Sequence, residues 1–405
     1  MIGADYASYD DFMAACGSRR ESLDPSRVLG KIYPIEQLRE LAEHLGISAD
    51  QINEIVEEGE GGDKRGVTRR YDCARAIAQL RTAEQIEEAL SYLDHTFYFP
   101  VLSYLRLSGE VPHNSPKDLL NSLKDHYTLN NDSFQKVFNG LTNPAGAACK
   151  LESIRIHGED SASLLFSCTR VLLAPEGQIG NYNEFFLARV PVLAYFFFSR
   201  RLLEISMPTF SEAASDQSGA TRIPERYQII IQSMQPIIGR IAPGQLGGIS
   251  FKKLTLFLET QLGAIDMGWK IEPEQEAAFD FTQNVVPLKK ILDTFSQSLQ
   301  TECERRECPY PLANTNLYNL FRALKEQSYT YSLLLQAPLR NRNGNVKAST
   351  LYGPPNTGYP PVLLLDKNNN AISNNLIKAV EQSQTEEIEN PYDLDKIFQE
   401  GVNDA

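Results

Sequence analysis

Cysteine is sparse and scattered in this chain of 405 residues: Cys16, Cys73, Cys149, Cys168, Cys303 and Cys308, with only the last two near each other. That spacing excludes the dense disulfide framework of a small secreted scaffold. The beginning of the chain lacks a basic segment followed by an apolar one, so no secretory signal is expected. Long apolar runs are missing as well. The most apolar window, Val190–Phe198 (VPVLAYFFF), lies between Arg189 and the pair Arg200–Arg201. A membrane-spanning helix needs about 20 apolar residues. The window therefore reads as a buried strand, and the protein as cytoplasmic with no membrane contact.

Catalytic signatures are absent too. The five histidines, His44, His95, His113, His126 and His157, show no metal-ligand spacing. Cys303-x4-Cys308 would be half of a zinc site whose other half is missing, so structural cysteines are expected. Gly244-Gln-Leu-Gly247-Gly248 precedes Ser250, Lys252 and Lys253, but a phosphate-cradling loop needs its lysine before the serine, where it can reach the terminal phosphates. Glu152, Glu159, Asp160 and Arg170 lie near one predicted hairpin without the acid-x-lysine triplet of a metal-dependent nuclease. No repeat of solenoid length is found. No catalytic residue, metal or cofactor is expected, although an enzyme such as a nuclease, its site assembled only in space, stays open as an alternative.

What is present is an uneven charge. The net charge is −13, with 42% hydrophobic and 22% charged residues, ordinary for a globular protein long enough for two or three domains. Residues 1–100 hold 19 acidic and 11 basic side chains (−8) and residues 381–405 hold 8 and 1 (−7), which leaves +2 for the middle. An acidic total lowers the expectation of nucleic-acid binding without removing it, because binding depends on local patches.

Gln37–Gly59 (QLRELAEHLGISADQINEIVEEG) has helix-turn-helix spacing. Ala42 and Gly46 supply the small residue and the tight turn; Leu41, Leu45, Ile47, Ile52 and Ile55 would wedge the two helices together. The second helix, Ala49–Gly59, carries Asp50, Glu54, Glu57 and Glu58 and no basic residue. A recognition helix must approach phosphates, so this face points to a partner other than DNA. Lys64, Arg65, Arg69 and Arg70 follow, clustered at a helix start where they oppose the helix dipole. They either pair with Glu54, Glu57 and Glu58 or meet a partner.

The fold class is expected to be α+β: a small N-terminal helical bundle, then a mixed domain with a largely antiparallel sheet. Residues 1–95 read as a helical interaction domain. Its helices are Asp10–Cys16, one opened by Pro34, Ala49–Glu58 capped by Ser48, one from Thr68 to Leu80, and one from Thr82 to Leu93. Residues 96–150 read as a helical linker or the start of a winged helix, with Phe97–Leu107, Ser115–Tyr127 and Asp132–Asn139 helical. Residues 151–380 form the mixed domain. It begins with strands Leu151–His157 and Ala162–Leu173, followed by a strand-like stretch from Phe185 to Glu204. Then come a polar loop at Ser211–Thr221, an ambiguous segment at Tyr227–Ile238, a break at Gly244–Gly248, helical periodicity over 250–300 and a helix at Asn316–Gln327. Strands Ser328–Pro338 and Val362–Asp366 flank a loop from Arg340 to Pro361. Residues 381–405 form an acidic, mobile tail with a short helix at Leu394–Glu400.

Residues 30–95 resemble the bacterial effector-associated domains of the death-like superfamily. The resemblance rests on the LRELAEHLGI helix and turn, the basic helix start RRYDCARAIAQL and the closing aliphatic helix AEQIEEALSYL. It implies a non-catalytic adaptor or regulatory subunit in a bacterial defence (antiviral) or signalling assembly, joined by faces of opposite charge. On that reading Lys64, Arg65, Arg69, Arg70, Glu54, Glu57 and Glu58 contact a protein partner or a second copy. The alternative is a nucleic-acid-binding protein using Lys117, Lys124, Lys136, Lys150 and Arg155, with Arg340, Arg342 and Lys347 on a loop that has Tyr352 and Tyr359 downstream. Arg200 and Arg201, if on a strand, would point to opposite faces, so at most one could join any patch.

Overall fold

The computed structural model describes residues 25–58, 66–108, 115–122, 134–136, 149–173, 185–209, 227, 230–231, 234, 238–239, 245–249, 253–255, 257–258, 265–271, 278–280, 288–307, 328–339, 342–351 and 362–385. The fold is α+β, and the chain divides into two compact units. The first holds Met1–Val101 and Leu105–Gly247; the second holds Leu102–Tyr104 and Gly248–Ala405. Among the described residues no helix is long and apolar enough to cross a membrane.

Among the described residues the first unit begins with the helices α1 Pro25–Ile32, α2 Ile35–His44, α3 Ala49–Glu58, α4 Gly66–Leu80 and α5 Ala83–Leu93. Pro34 is the N-cap of α2, in extended backbone one residue before the first helical position. Gly46 at φ +68° ends α2 in a Schellman turn: Ile47 N–H donates to Ala42 O at 2.8 Å and Gly46 N–H to Glu43 O at 2.9 Å. Ser48 and Gln51 then form a reciprocal cap on α3. The expected wedge forms, with Leu41, Ala42 and Ile47 buried. Arg81 adds a bolt, donating from Nε and Nη2 to Leu45 O at the end of α2 and from Nη1 to Leu80 O at the end of α4. Helix α1 crosses α4 at Gly30, where a β-carbon would collide with the Tyr71 ring. Helix α4 starts at Gly66, three residues earlier than a Thr68 cap would allow. The expected first helix, Asp10–Cys16, and residues 59–65 lie outside the described residues.

The same unit contains a sheet running β2 (Phe134–Lys136), β3 (Cys149–Ile156), β4 (Ser161–Leu173), β5 (Phe185–Phe197) and β6 (Leu202–Met207), each antiparallel to the next. The helical segment expected to stand alone at 1–95 thus shares one unit with these strands. The ribbon β3–β4 is not a free wing, because β4 pairs with β5 along the whole length of both. One face of this sheet buries Ile154, Leu164, Phe166, Val192, Ala194, Phe196, Leu203 and Ile205 and leaves Ile156 half-buried. The opposite face is also largely enclosed but carries serines. Burial on both faces explains why Val190–Phe198 shows no alternation. Cys149 and Cys168 sit opposite each other on β3 and β4, with Cα atoms 4.4 Å apart, and form a disulfide. No spacing rule singled out that pair.

Several expectations are corrected. Phe97–Leu107 is not helical: Val101–Ser108 is strand β1, and its apolar residues are buried on both sides, the pattern that periodicity confuses with a helix. Helix α6, Pro116–Ser122, starts at the expected Ser115 cap, with Asp118 N–H donating to Ser115 Oγ at 3.3 Å. In place of a helix at Asp132–Asn139 the chain forms β2. The Gly244–Gly248 break includes β7, Gln245–Gly248. Arg200 and Arg201 occupy the turn between β5 and β6 rather than a strand. Of the segment Tyr227–Ile238, the described residues Tyr227, Ile230, Ile231, Met234 and Ile238 are helical and buried, at helical spacing.

The second unit orders its strands β12 (Val362–Leu365), β11 (Arg342–Leu351), β10 (Ser328–Leu339), β8 (Ile265–Ile271) and β9 (Ala278–Asp280), again antiparallel. Residues 250–300 are therefore only partly helical: β8 and β9 precede α7, Leu288–Arg305. The expected loop from Arg340 contains β11, hairpinned to β10. Helix α8, Asn370–Thr385, is started by the Asn369 side chain, which accepts from Ile372 N–H at 3.0 Å, and it includes Glu381, where the tail was expected to begin. The expected loop at Ser211–Thr221, the helix at Asn316–Gln327 and the rest of the tail lie outside the described residues.

Candidate functional site

Helix α5 begins with a reciprocal cap between Thr82 and Gln85 and ends where Phe97 N–H returns to Leu93 O. Between that end and β1 lie Asp94 and His95, with 0% and 2% of their surface exposed. Buried polar groups need partners, and the serine face of the sheet supplies them. In the register, Arg155 on β3 faces Ser163 on β4, which faces Tyr195 on β5. A bulge between Leu151 and Ser153 brings Lys150, Ser153 and Arg155 onto this one face.

His95 spans the serines: Nδ1 is 2.6 Å from Ser163 Oγ and Nε2 is 2.9 Å from Ser153 Oγ. His157 Nε2 also reaches Ser163 Oγ, at 2.6 Å, and Ser153 Oγ donates to Ser91 O at 3.3 Å. That terminal carbonyl can only accept, which fixes the direction of the chain. With both imidazoles neutral, His157 donates to Ser163, Ser163 to His95, His95 to Ser153, and Ser153 to Ser91. Burial and the neighbouring His157 and Arg155 push the His95 pKa well down; burial and Arg155 lower that of His157 to about 4. The neutral chain is thus the stable one near neutrality.

Beside it lies a charged cluster. Tyr33 Oη donates to Asp94 Oδ2 at 3.2 Å, Arg189 Nη1 stands 3.9 Å from the same oxygen, and Arg189 Nη2 pairs with Glu152. Burial raises the Asp94 carboxyl to about 7, against the pull of Arg189. Asp94 Oδ1 and Arg189 Nε have no hydrogen-bond partner.

A serine between two imidazoles invites a hydrolytic reading, and the geometry opposes it. Ser163 is wholly buried while His157 is more exposed, so a substrate would have to pass the base to reach the nucleophile. Both His95 nitrogens go to serines, so no carboxylate orients that ring. Among the described residues no three His, Cys, Asp or Glu side chains gather as metal ligands. The cluster fastens the helices to the sheet. Its only sequence signal was a lone Asp-His pair after an apolar helix.

The residues expected to meet a protein partner are only partly described. Glu54 is exposed on α3; Glu57 and Glu58 belong to α3, but their side chains, like that of Arg69 and all of Lys64 and Arg65, lie outside the described residues. Arg70 is half-buried, its guanidinium 5.3 Å from the Tyr71 ring centre, so it is tied to the fold. Of the alternative set, Lys117 and Lys150 are exposed, and Arg155 lies over the Tyr92 ring at 4.4 Å. Lys136 is on β2, with its side chain outside the described residues, as are Lys124 and Arg340. Arg342 and Lys347 stand on strand β11 instead of a loop. Lys347 is exposed there, its backbone N–H held by Asp366 at 3.0 Å. Lys117, Lys150 and Arg155 belong to the first unit and Arg342 and Lys347 to the second.

Comparison with models of protein families, with curated proteins and with solved structures found no match to this chain.

Proposed function

We propose that this protein is a non-catalytic adaptor or regulatory subunit that acts through protein–protein contacts made by its N-terminal helices. The observation that carries the reading is the outer face of α3. Asp50, Gln51, Asn53 and Glu54 are exposed, while Ile52 and Ile55 are half-buried. Asp50 and Glu54 enter no ion pair among the described residues, so their charge faces outward unspent. A surface of one sign attracts an oppositely charged partner and raises its association rate. The rigid seat beneath α3, made by the Schellman turn, the Ser48 cap and the Arg81 bolt, preorganises that face.

The death-like resemblance of residues 30–95 extends the proposal to a defence or signalling assembly in the bacterial cytoplasm. The Cys149–Cys168 bond is compatible with a reducing compartment because both residues are fully buried, away from soluble thiols. The test is purification of the tagged full-length protein at low salt, followed by mass spectrometry and size-exclusion chromatography. A stoichiometric protein partner or a defined oligomer is expected, released as salt rises. A salt-independent monomer with no partner would defeat the reading.

A further inference from the structure

The turn joining β5 to β6, Phe198–Arg201, gathers arginines that the protein–protein reading does not use. Arg200 and Arg201 are both exposed there. Leu107 N–H donates to Arg201 O at 2.9 Å, which sets exposed Arg106 of β1 beside them. Arg106 and Arg201 enter no ion pair among the described residues. The turn is held rigid: Phe198 N–H donates to Asp160 O at 3.0 Å, Ser199 N–H to Asp160 Oδ1 at 2.7 Å, and Arg201 N–H to Phe198 O at 3.1 Å. Asp160 is thereby engaged by the turn's backbone, leaving Glu159 as the other exposed acid of the adjoining turn.

Arg201 has φ +50°, a left-handed conformation that glycine or asparagine adopts more readily. An arginine there is unfavourable for the turn itself, and a bound anion would explain its presence. Aromatic rings run up to the same corner. The rings of His157 and Tyr195 stack at 4.7 Å and those of Tyr195 and Phe197 at 4.9 Å, and Arg200 lies 5.9 Å from the centre of Phe197.

We propose that Arg106, Arg200 and Arg201 form a binding site for the phosphates of a single-stranded nucleic acid, with the Phe197 end of the aromatic row beside it for a base. Guanidinium groups recognise phosphate oxygens through paired N–H donors. The aromatic row beside them favours a nucleic acid over an acidic peptide, which offers carboxylates but no bases to stack. Overall acidity is no obstacle, since a local cluster governs binding and the surrounding negative charge keeps it weak and salt-sensitive.

The test is fluorescence anisotropy of labelled oligo(dT) and oligo(U) with the full-length chain. Binding is expected at about 50 mM salt, with a log–log salt slope of about −2 for some three phosphates neutralised. The double variant Arg200→Gln/Arg201→Gly should bind on the order of tenfold or more weakly, with a shallower slope. Arg201→Gly alone suits the left-handed backbone, so its loss of affinity, with an unchanged melting temperature, reports charge rather than folding. Undetectable binding at low salt, or equal affinity in wild type and both variants, would overturn the proposal. So would displacement by poly-glutamate as effective as by unlabelled oligo(dT), which would assign the corner to an acidic protein.

Discussion

His95 Nδ1 lies 2.6 Å from Ser163 Oγ, and through that contact the residue ending the helical segment is fixed to the middle of the sheet. Because His157 shares the same hydroxyl, one serine serves two rings. Ser163→Ala should therefore cost about 1–3 kcal/mol, leaving a buried acceptor on His95 and a donor on His157 unmatched. Urea unfolding followed by far-UV circular dichroism measures this. A change within about 0.5 kcal/mol, the usual range for an unconstrained site, would mean that the chain does not hold the helices down.

Acid should weaken the fold through the histidines and strengthen it through Asp94. In the unfolded chain histidine titrates near 6.5 and aspartate near 3.9. Burial and Arg155 hold folded His157 at about 4, and His95 is also lowered, so between those limits the unfolded chain binds two protons that the folded one refuses. Stability from this source is lost as pH falls. Asp94, raised by burial to about 7, acts in the opposite sense: the folded state holds its proton and loses stability as pH rises toward 7. The two histidines outweigh the one acid by about one proton, or about 1.4 kcal/mol per pH unit. His157→Gln should flatten the dependence between about pH 4.5 and 6 and Asp94→Asn should steepen it, as read from urea midpoints. Slopes identical to wild type in both variants would contradict the assignment.

Arg189 bridges Glu152 and Asp94 across β5, β3 and the end of α5. Arg189→Met should destabilise by about 2–4 kcal/mol, because it leaves carboxylates largely enclosed without a counter-charge. Adding Glu152→Gln should restore part of the loss. Thermal unfolding of the single and double variants gives the coupling, and simple additivity would show that the pair is not energetically linked.

Gly30→Ala should cost about 1–3 kcal/mol by forcing the Tyr71 ring out of its place between α1 and α4. Tyr71→Leu in the same chain should recover some of it. Differential scanning calorimetry of both variants distinguishes a steric clash, which is relieved, from a change in helix propensity, which is not.

Much of the helical segment was legible because its signals are local. Pro34, the Gly46 turn, the Ser48 cap and the Thr82 start each act within a few residues, and α2, α3 and α5 follow. β3, β4 and β10 were legible from their flanking turns. The strands β1, β2, β7, β8, β9 and β11 were missed for physical reasons. The apolar residues of β1 are buried on both faces and leave no alternation to read; β2 is three residues long and takes its pairing from β3. The pairing of Cys149 with Cys168 and of His95 with Ser153 and Ser163 depends on register and a bulge, which no local spacing encodes. At the candidate partner surface the sequence named Glu54 as a contact residue, and its side chain is exposed. It did not reveal that Arg70 is occupied by Tyr71, which moves the best test from the basic residues to the acidic ones.

The outer face of α3 is the proposed seat of the partner. It is tested most directly by quantifying what co-purifies with the tagged full-length protein and with the double variant Asp50→Lys/Glu54→Lys, matched for folding by circular dichroism. Both side chains are exposed, so the variant should fold as the wild type does. Loss of at least about nine-tenths of the captured partner, or of the oligomer, is the predicted result, as expected when like charges are brought together. Undiminished capture by the folded variant would contradict the account.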